Sequence, residues 1–300
     1  MKTLGYFDLF KYPLTEKEIY LFNQAHITDA AVNRELEVLV TEQSIFKVDE
    51  FYSLHNNCQL VERRRHGNKL AAEHLKIAQR VARFLFKFPY VKAIAVSGSL
   101  SKNFATEKTD IDFFIITTAN RLWIARTCMH LYKKLTFLRG RQNWFCMNYY
   151  VDEDALEIKE KNIFTAVEIV TLLPMHGKDC LQEFMERNQW TTSFFPLKHF
   201  SNTISPDLPK GFFGRLIEKI FSGRLGDLAD TKLMHVTAGR WQRKVRRQEL
   251  NSRGGLMGMS IDRHFSKPEP KNFQEKVVKA YREKVEDMIQ QRKVTASFVL

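Results

Sequence analysis

Two short stretches carry residue types that can do chemistry together. The first is Val96-Ser97-Gly98-Ser99-Leu100-Ser101-Lys102, and the second is Lys108-Thr109-Asp110-Ile111-Asp112-Phe113. The apolar run Val91–Val96 reads as a buried strand that ends in Gly-Ser. The Asp-x-Asp pair leads straight into Phe113-Phe114-Ile115-Ile116, which reads as a second strand over 110–117. Side chains at i and i+2 of a strand point to one side, about 6.5–7 Å apart. Asp110 and Asp112 can then share one divalent ion while Ile111 and Phe113 turn into the core. Two carboxylates beside a core are costly without a cation, and an oxygen-only ligand set suits Mg²⁺. Gly98 has no side chain to keep a phosphate from its backbone. Ser99 adds a hydroxyl, and the surrounding N–H groups can form an anion nest.

The elements around these stretches follow from hydrophobic spacing. Leu70, Ala71, Leu75, Ala78, Val81, Ala82 and Leu85 lie on one face of a long helix over 61–88, which Pro89 stops. After the Asp-x-Asp strand come a helix over 121–138, a third strand over Trp144–Val151, and a helix carrying Ile163, Val167 and Val170 that ends at Pro174. Ahead of the long helix, the Leu4, Phe7 and Phe10 stripe, a capped helix opening at Thr15 with Glu18 three residues on, and a helix over 30–41 precede two short strands, Ile45–Val48 and Phe51–Leu54. Three helices and a two-stranded ribbon describe a winged helix.

Strand, Gly-Ser, loop, Asp-x-Asp and apolar strand in this order resemble the DNA polymerase β-like nucleotidyltransferase superfamily, over residues 90–175. The resemblance implies an α+β core with a small mixed sheet. It implies that Gly98 and Ser99 hold the β- and γ-phosphates of a nucleoside triphosphate (NTP), with Lys102 beside them. Asp110 and Asp112 would be the catalytic carboxylates and would hold Mg²⁺, with two ions admitted. The reaction would join a nucleoside monophosphate to an acceptor that the sequence does not name, a small molecule, an RNA or a protein, and release pyrophosphate. The family pattern adds a third carboxylate on a later strand. The matching stretch here, 144–151, offers Asn148, whose amide oxygen ligates a metal but is no base near neutral pH. Asp152, Glu153, Asp154 and Glu157 just beyond, and Glu168 on the next helix, are the remaining candidates for the missing acid. The amide leaves a second reading open: a nucleotide-binding sensor or interaction protein on the same core. Arg121 and Arg126 begin the helix after the Asp strand, and Trp123 and Trp144 are read as core residues.

Charge separates the ends of the chain. The formal total is +13, yet residues 1–57 hold 5 Lys/Arg against 9 Asp/Glu, and residues 201–300 hold 20 against 11. A basic body favours phosphate-rich partners. Arg240, Arg243, Lys244 and Arg247 recur at helical spacing and form a candidate grip for a triphosphate tail or for an RNA or protein acceptor. The recognition helix of the winged helix would offer Arg34 against Asp29, Glu35, Glu37 and Glu42, so no duplex DNA binding is expected. The Gly254–Gly258 run lacks Gly-Lys-Thr/Ser and follows no strand, which excludes a Walker loop. Four cysteines stand far apart without a CxxC pair, and no apolar run approaches the roughly 20 residues of a membrane helix. A cytoplasmic protein with reduced thiols and no membrane span is expected. The expected division is a winged helix at 1–57, a nucleotidyltransferase core at 58–187, a linker at 188–214 rich in Ser, Thr, Asn and Pro, and a basic helical domain at 215–300.

Overall fold

The computed structural model describes residues 1–136, 145–198, 209–250, 256, 258–268 and 273–297. The N-terminal unit comprises α1 (Lys2–Asp8), β1 (Leu14–Thr15), α2 (Glu16–Leu21), α3 (Asp29–Thr41), β2 (Phe46–Val48) and β3 (Phe51–Ser53). Its strands form an antiparallel sheet in the order β1-β3-β2, one strand more than the ribbon read from the sequence. The capping box at α2 is present: the Glu18 N–H donates to Thr15 Oγ1 at 3.3 Å, and the Thr15 N–H donates to Glu18 Oε2 at 2.9 Å. The unit is seated on α4 (Cys58–Leu85) by the buried Arg64, which bonds Glu18 at 2.7 Å and the Pro13 carbonyl at 2.9 Å.

The central sheet has six strands in the order β7-β4-β5-β6-β9-β8. Its first members are β4 (Val91–Val96), β5 (Asp112–Thr117), β6 (Cys146–Asp152) and β7 (Leu173–His176). β5 and β6 run parallel, while β4 is antiparallel to both β5 and β7. Between them lie a single turn, α5 (Gly98–Ser101), then α6 (Leu122–Thr136), α7 (Ile163–Val170) and α8 (Lys178–Arg187). Pro174, expected to end a helix, lies inside β7. That strand is at the sheet edge, where a residue without an N–H is tolerated.

The C-terminal part is not helical throughout. After α9 (Phe212–Ile220) and α10 (Gly223–Arg246) come β8 (Met259–Ile261) and β9 (Phe265–Pro268), and then α11 (Phe273–Ser297). β9 pairs with β6 through Tyr150↔Ser266 and Val151↔Phe265, so this region completes the central sheet. α10 is tied to α6 where Asp230 accepts the Ile124 N–H at 2.8 Å. α11 crosses to the N-terminal unit, where Lys284 pairs with Asp8 and Gln24 donates to the Tyr281 hydroxyl at 2.7 Å. Trp144, Arg253 and much of the Gly254–Gly258 run lie outside the described residues, as does 199–208 of the expected linker. All four cysteines are free thiols, and no described helix is long and apolar enough to cross a membrane.

Candidate active site

The end of β4 is locked to the start of β5. The Ser97 N–H donates to the Asp112 carbonyl at 2.9 Å, which brings the next residue, Gly98, against the Asp112 side chain. Gly98 has φ +70°, and a Cβ built there would stand 2.6 Å from Asp112 Oδ2. Only glycine both adopts that backbone and leaves room for the carboxylate. Gly98, Ser99, Lys102 and Asp112 line one cavity of about 550 Å³. The Lys102 ammonium lies 2.8 Å from Glu168 and donates to the Gly98 carbonyl at 3.0 Å, so it is engaged within the protein. The Tyr12 hydroxyl of the N-terminal unit donates to the Lys102 carbonyl. β5 begins at Asp112 rather than at Asp110, which stands in the segment leading into the strand and is not on the cavity wall. Ile111 and Phe113 are fully buried beneath.

The register of β6 decides what stands beside Asp112. Asp112 pairs with Cys146 and Phe113 with Met147, but Phe114 pairs with Tyr149. Asn148 is therefore the extra residue of an irregularity in the strand, and its side chain lies outside what is described. The side chain level with Asp112 is Cys146. Its thiol is pushed up to about 12, first by burial and then by the Asp112 charge. Lys133 opposes that rise, while Asp110 and a hydrogen bond to Asp112 add to it. Both carboxylates thus act on a thiol that stays protonated near neutral pH. Hard carboxylate oxygens suit Mg²⁺, with phosphate oxygens and water filling its other positions, whereas a thiol does not. The residues present therefore fit one such ion.

Residues 77–177 match the family model described as a nucleotidyltransferase domain. These residues form a nucleotidyltransferase domain of the DNA polymerase β-like superfamily. No curated protein and no solved structure matches the chain significantly.

Within this nucleotidyltransferase domain, the acids immediately after Val151 do not complete the site. Asp152 pairs with Thr117, at the other end of the two strands from Asp112 and Cys146, about 17 Å away at 3.3 Å per residue. Asp152, Asp154 and His264 place ligand atoms within 4.8 Å of one another. The fully buried Asp152 carboxylate is already satisfied: it accepts the Asn120 N–H at 2.8 Å and the Asp154 N–H at 3.1 Å, and His264 Nδ1 lies at 3.0 Å. Glu153 pairs with Lys92, and Glu157 with Lys161. Glu168 alone of the five alternatives lines the cavity with Asp112.

Arg121 does not face this cavity. It is buried against Asp227 at 2.6 Å and the Gly223 carbonyl at 3.0 Å, fastening α10 to the core. Trp123 is fully buried, and Arg126 is buried over its ring. Arg240, Arg243, Lys244 and Arg247 lie along and just past α10, and none lines the cavity. The sequence reading missed Cys146. The signal was present, because Phe145 and Met147 point inward and strand alternation then puts Cys146 on the face of Asp112. It also missed the four residues that the N-terminal unit brings to the cavity, Tyr6, Phe7, Phe10 and Tyr12.

Proposed function

We propose that the protein is a Mg²⁺-dependent transferase that moves a nucleoside monophosphate from an NTP to an acceptor hydroxyl. The observation that carries this reading is the close approach of Asp112 to the bare backbone of Gly98. It sets a hard carboxylate beside the half-buried Gly98 main chain and the exposed Ser99, where a polyphosphate can meet both. Asp110 and Asp112 would hold the ion, which supplies charge neutralisation on the phosphates when bound. Gly98 and Ser99 orient the phosphate tail, with Lys102 at its side. In the transfer the acceptor oxygen bonds to the α-phosphorus as the bond to the pyrophosphate oxygen breaks. Pyrophosphate leaves with that electron pair, and the hydroxyl proton passes to the Glu168 carboxylate on the same cavity.

The test is incubation with α-labelled NTPs, Mg²⁺ and cell extract. Label should appear in a new product with the wild type and fall at least a hundredfold with Asp110→Ala/Asp112→Ala. Equal product from both proteins would refute the reading. The neutral Cys146 beside Asp112 favours one rival, a nucleotide sensor without turnover. Calorimetric NTP binding that depends on both aspartates, with no labelled product, would establish that rival.

A further inference from the structure

The cavity beside Asp112 is larger and more apolar than a phosphate tail requires. Its lining includes Phe7 of α1, Phe164 of α7 and Phe273 of α11, together with Phe10, Phe104 and, on β5, Phe114. The charged groups on this wall are already matched. Lys102 pairs with Glu168, Lys267 pairs with Glu160, and Arg63 donates to the Lys11 carbonyl at 2.7 Å while lying over the Phe104 ring. Among the described residues, one buried polar group on this wall has no such match. Tyr6 lines the same cavity and is 2% exposed, and its hydroxyl has no hydrogen-bond partner among the described residues. Burial chiefly, with the nearby Glu168 charge adding, holds its pKa well above the ordinary tyrosine value, so it remains a donor. A buried hydroxyl without a partner is rare and calls for one.

We propose that this chamber is the acceptor site and takes an uncharged molecule with an aromatic or alicyclic body and a hydroxyl group, its body among the rings and its hydroxyl between Tyr6 and Glu168. The assignment of an acceptor, though not of the ligand class, rests on the transferase reading above. The volume, about 550 Å³, lies in the range that encloses small organic ligands. A nucleobase fits this wall worse. Its edges carry several donors and acceptors that phenylalanine walls would strip of water without replacement. A single hydroxyl on an apolar body matches the buried, unanswered hydroxyl that Tyr6 brings to this wall.

The probe is 2-naphthol, followed by its own fluorescence on the full chain, with and without saturating MgATP. The wild type should bind it, and MgATP should leave that affinity unchanged or tighten it. Tyr6→Phe should weaken binding about tenfold, and Thr165→Phe, which fills the chamber from α7, by more, with both variants checked for wild-type melting temperature. Labelled ATP should then yield a nucleotidylated naphthol. Naphthol binding untouched by both substitutions, or displaced by MgATP, overturns the inference, the latter assigning the chamber to the base. Label found only on RNA or protein overturns it too. Naphthol bound in the chamber while the protein binds no MgATP would leave the ligand class standing and overturn the transferase reading instead.

Discussion

Cys146 is the residue that sets this site apart. It stands level with Asp112, shares a face with it, and carries no charge near neutral pH because burial and two carboxylates hold its proton. Cys146→Asp would supply a third hard oxygen donor there. Calorimetry should show Mn²⁺ or Mg²⁺ bound about tenfold more tightly than by the wild type; unchanged affinity would mean that this position does not face the ion. Gly98, Ser99 and Asp112 were legible from the sequence because their relation is local: a strand end, a tight turn and a strand start. Cys146 was harder, because its partner is fixed by parallel pairing across 33 intervening residues and by the irregularity at Asn148. Tyr6 gave no signal at all. An aromatic residue on an apolar helix face is ordinarily core, and only the docking of α1 makes it part of a cavity wall.

At the level of elements, α10 is held to α6 by a buried acid. Asp230 is 3% exposed and accepts the Ile124 N–H at 2.8 Å, yet burial lifts its pKa to about 6 against the pull of its hydrogen bonds and of Arg121. An acid whose folded pKa is raised binds more protons when folded. Its contribution to stability is therefore full below its unfolded pKa of about 3.9 and is lost as pH rises through about 6. The melting temperature of the wild type relative to Asp230→Asn should rise as pH falls from 7.5 to 5; a constant difference would deny the shift. Helices with long apolar stripes, α3, α4 and α6, were readable from periodicity. β7, β8 and β9 were not. They span only three or four residues, two of them include proline, and each exists because a neighbouring edge offers it hydrogen bonds.

For the whole molecule, the decisive contacts run between the two ends of the chain. Tyr281 of α11 is 9% exposed, meets the Tyr6 ring edge-on at 5.7 Å and accepts a hydrogen bond from Gln24. Tyr281→Ala should cost about 3 kcal/mol, as for other large buried side chains. Calorimetry should show one transition moved downward as a unit, whereas a separate early transition would show that the N-terminal unit melts independently. The acidic head and basic tail evident in the sequence meet here, at Asp8 and Lys284. The pairing of β9 on β6 also has a consequence during synthesis. Until the ribosome has released residues 265 and 266, one flank of β6 is an open row of peptide groups, and the nascent chain is exposed to sticking to its neighbours. Slowed translation between residues 152 and 265 should therefore lower soluble yield without any change in the finished protein.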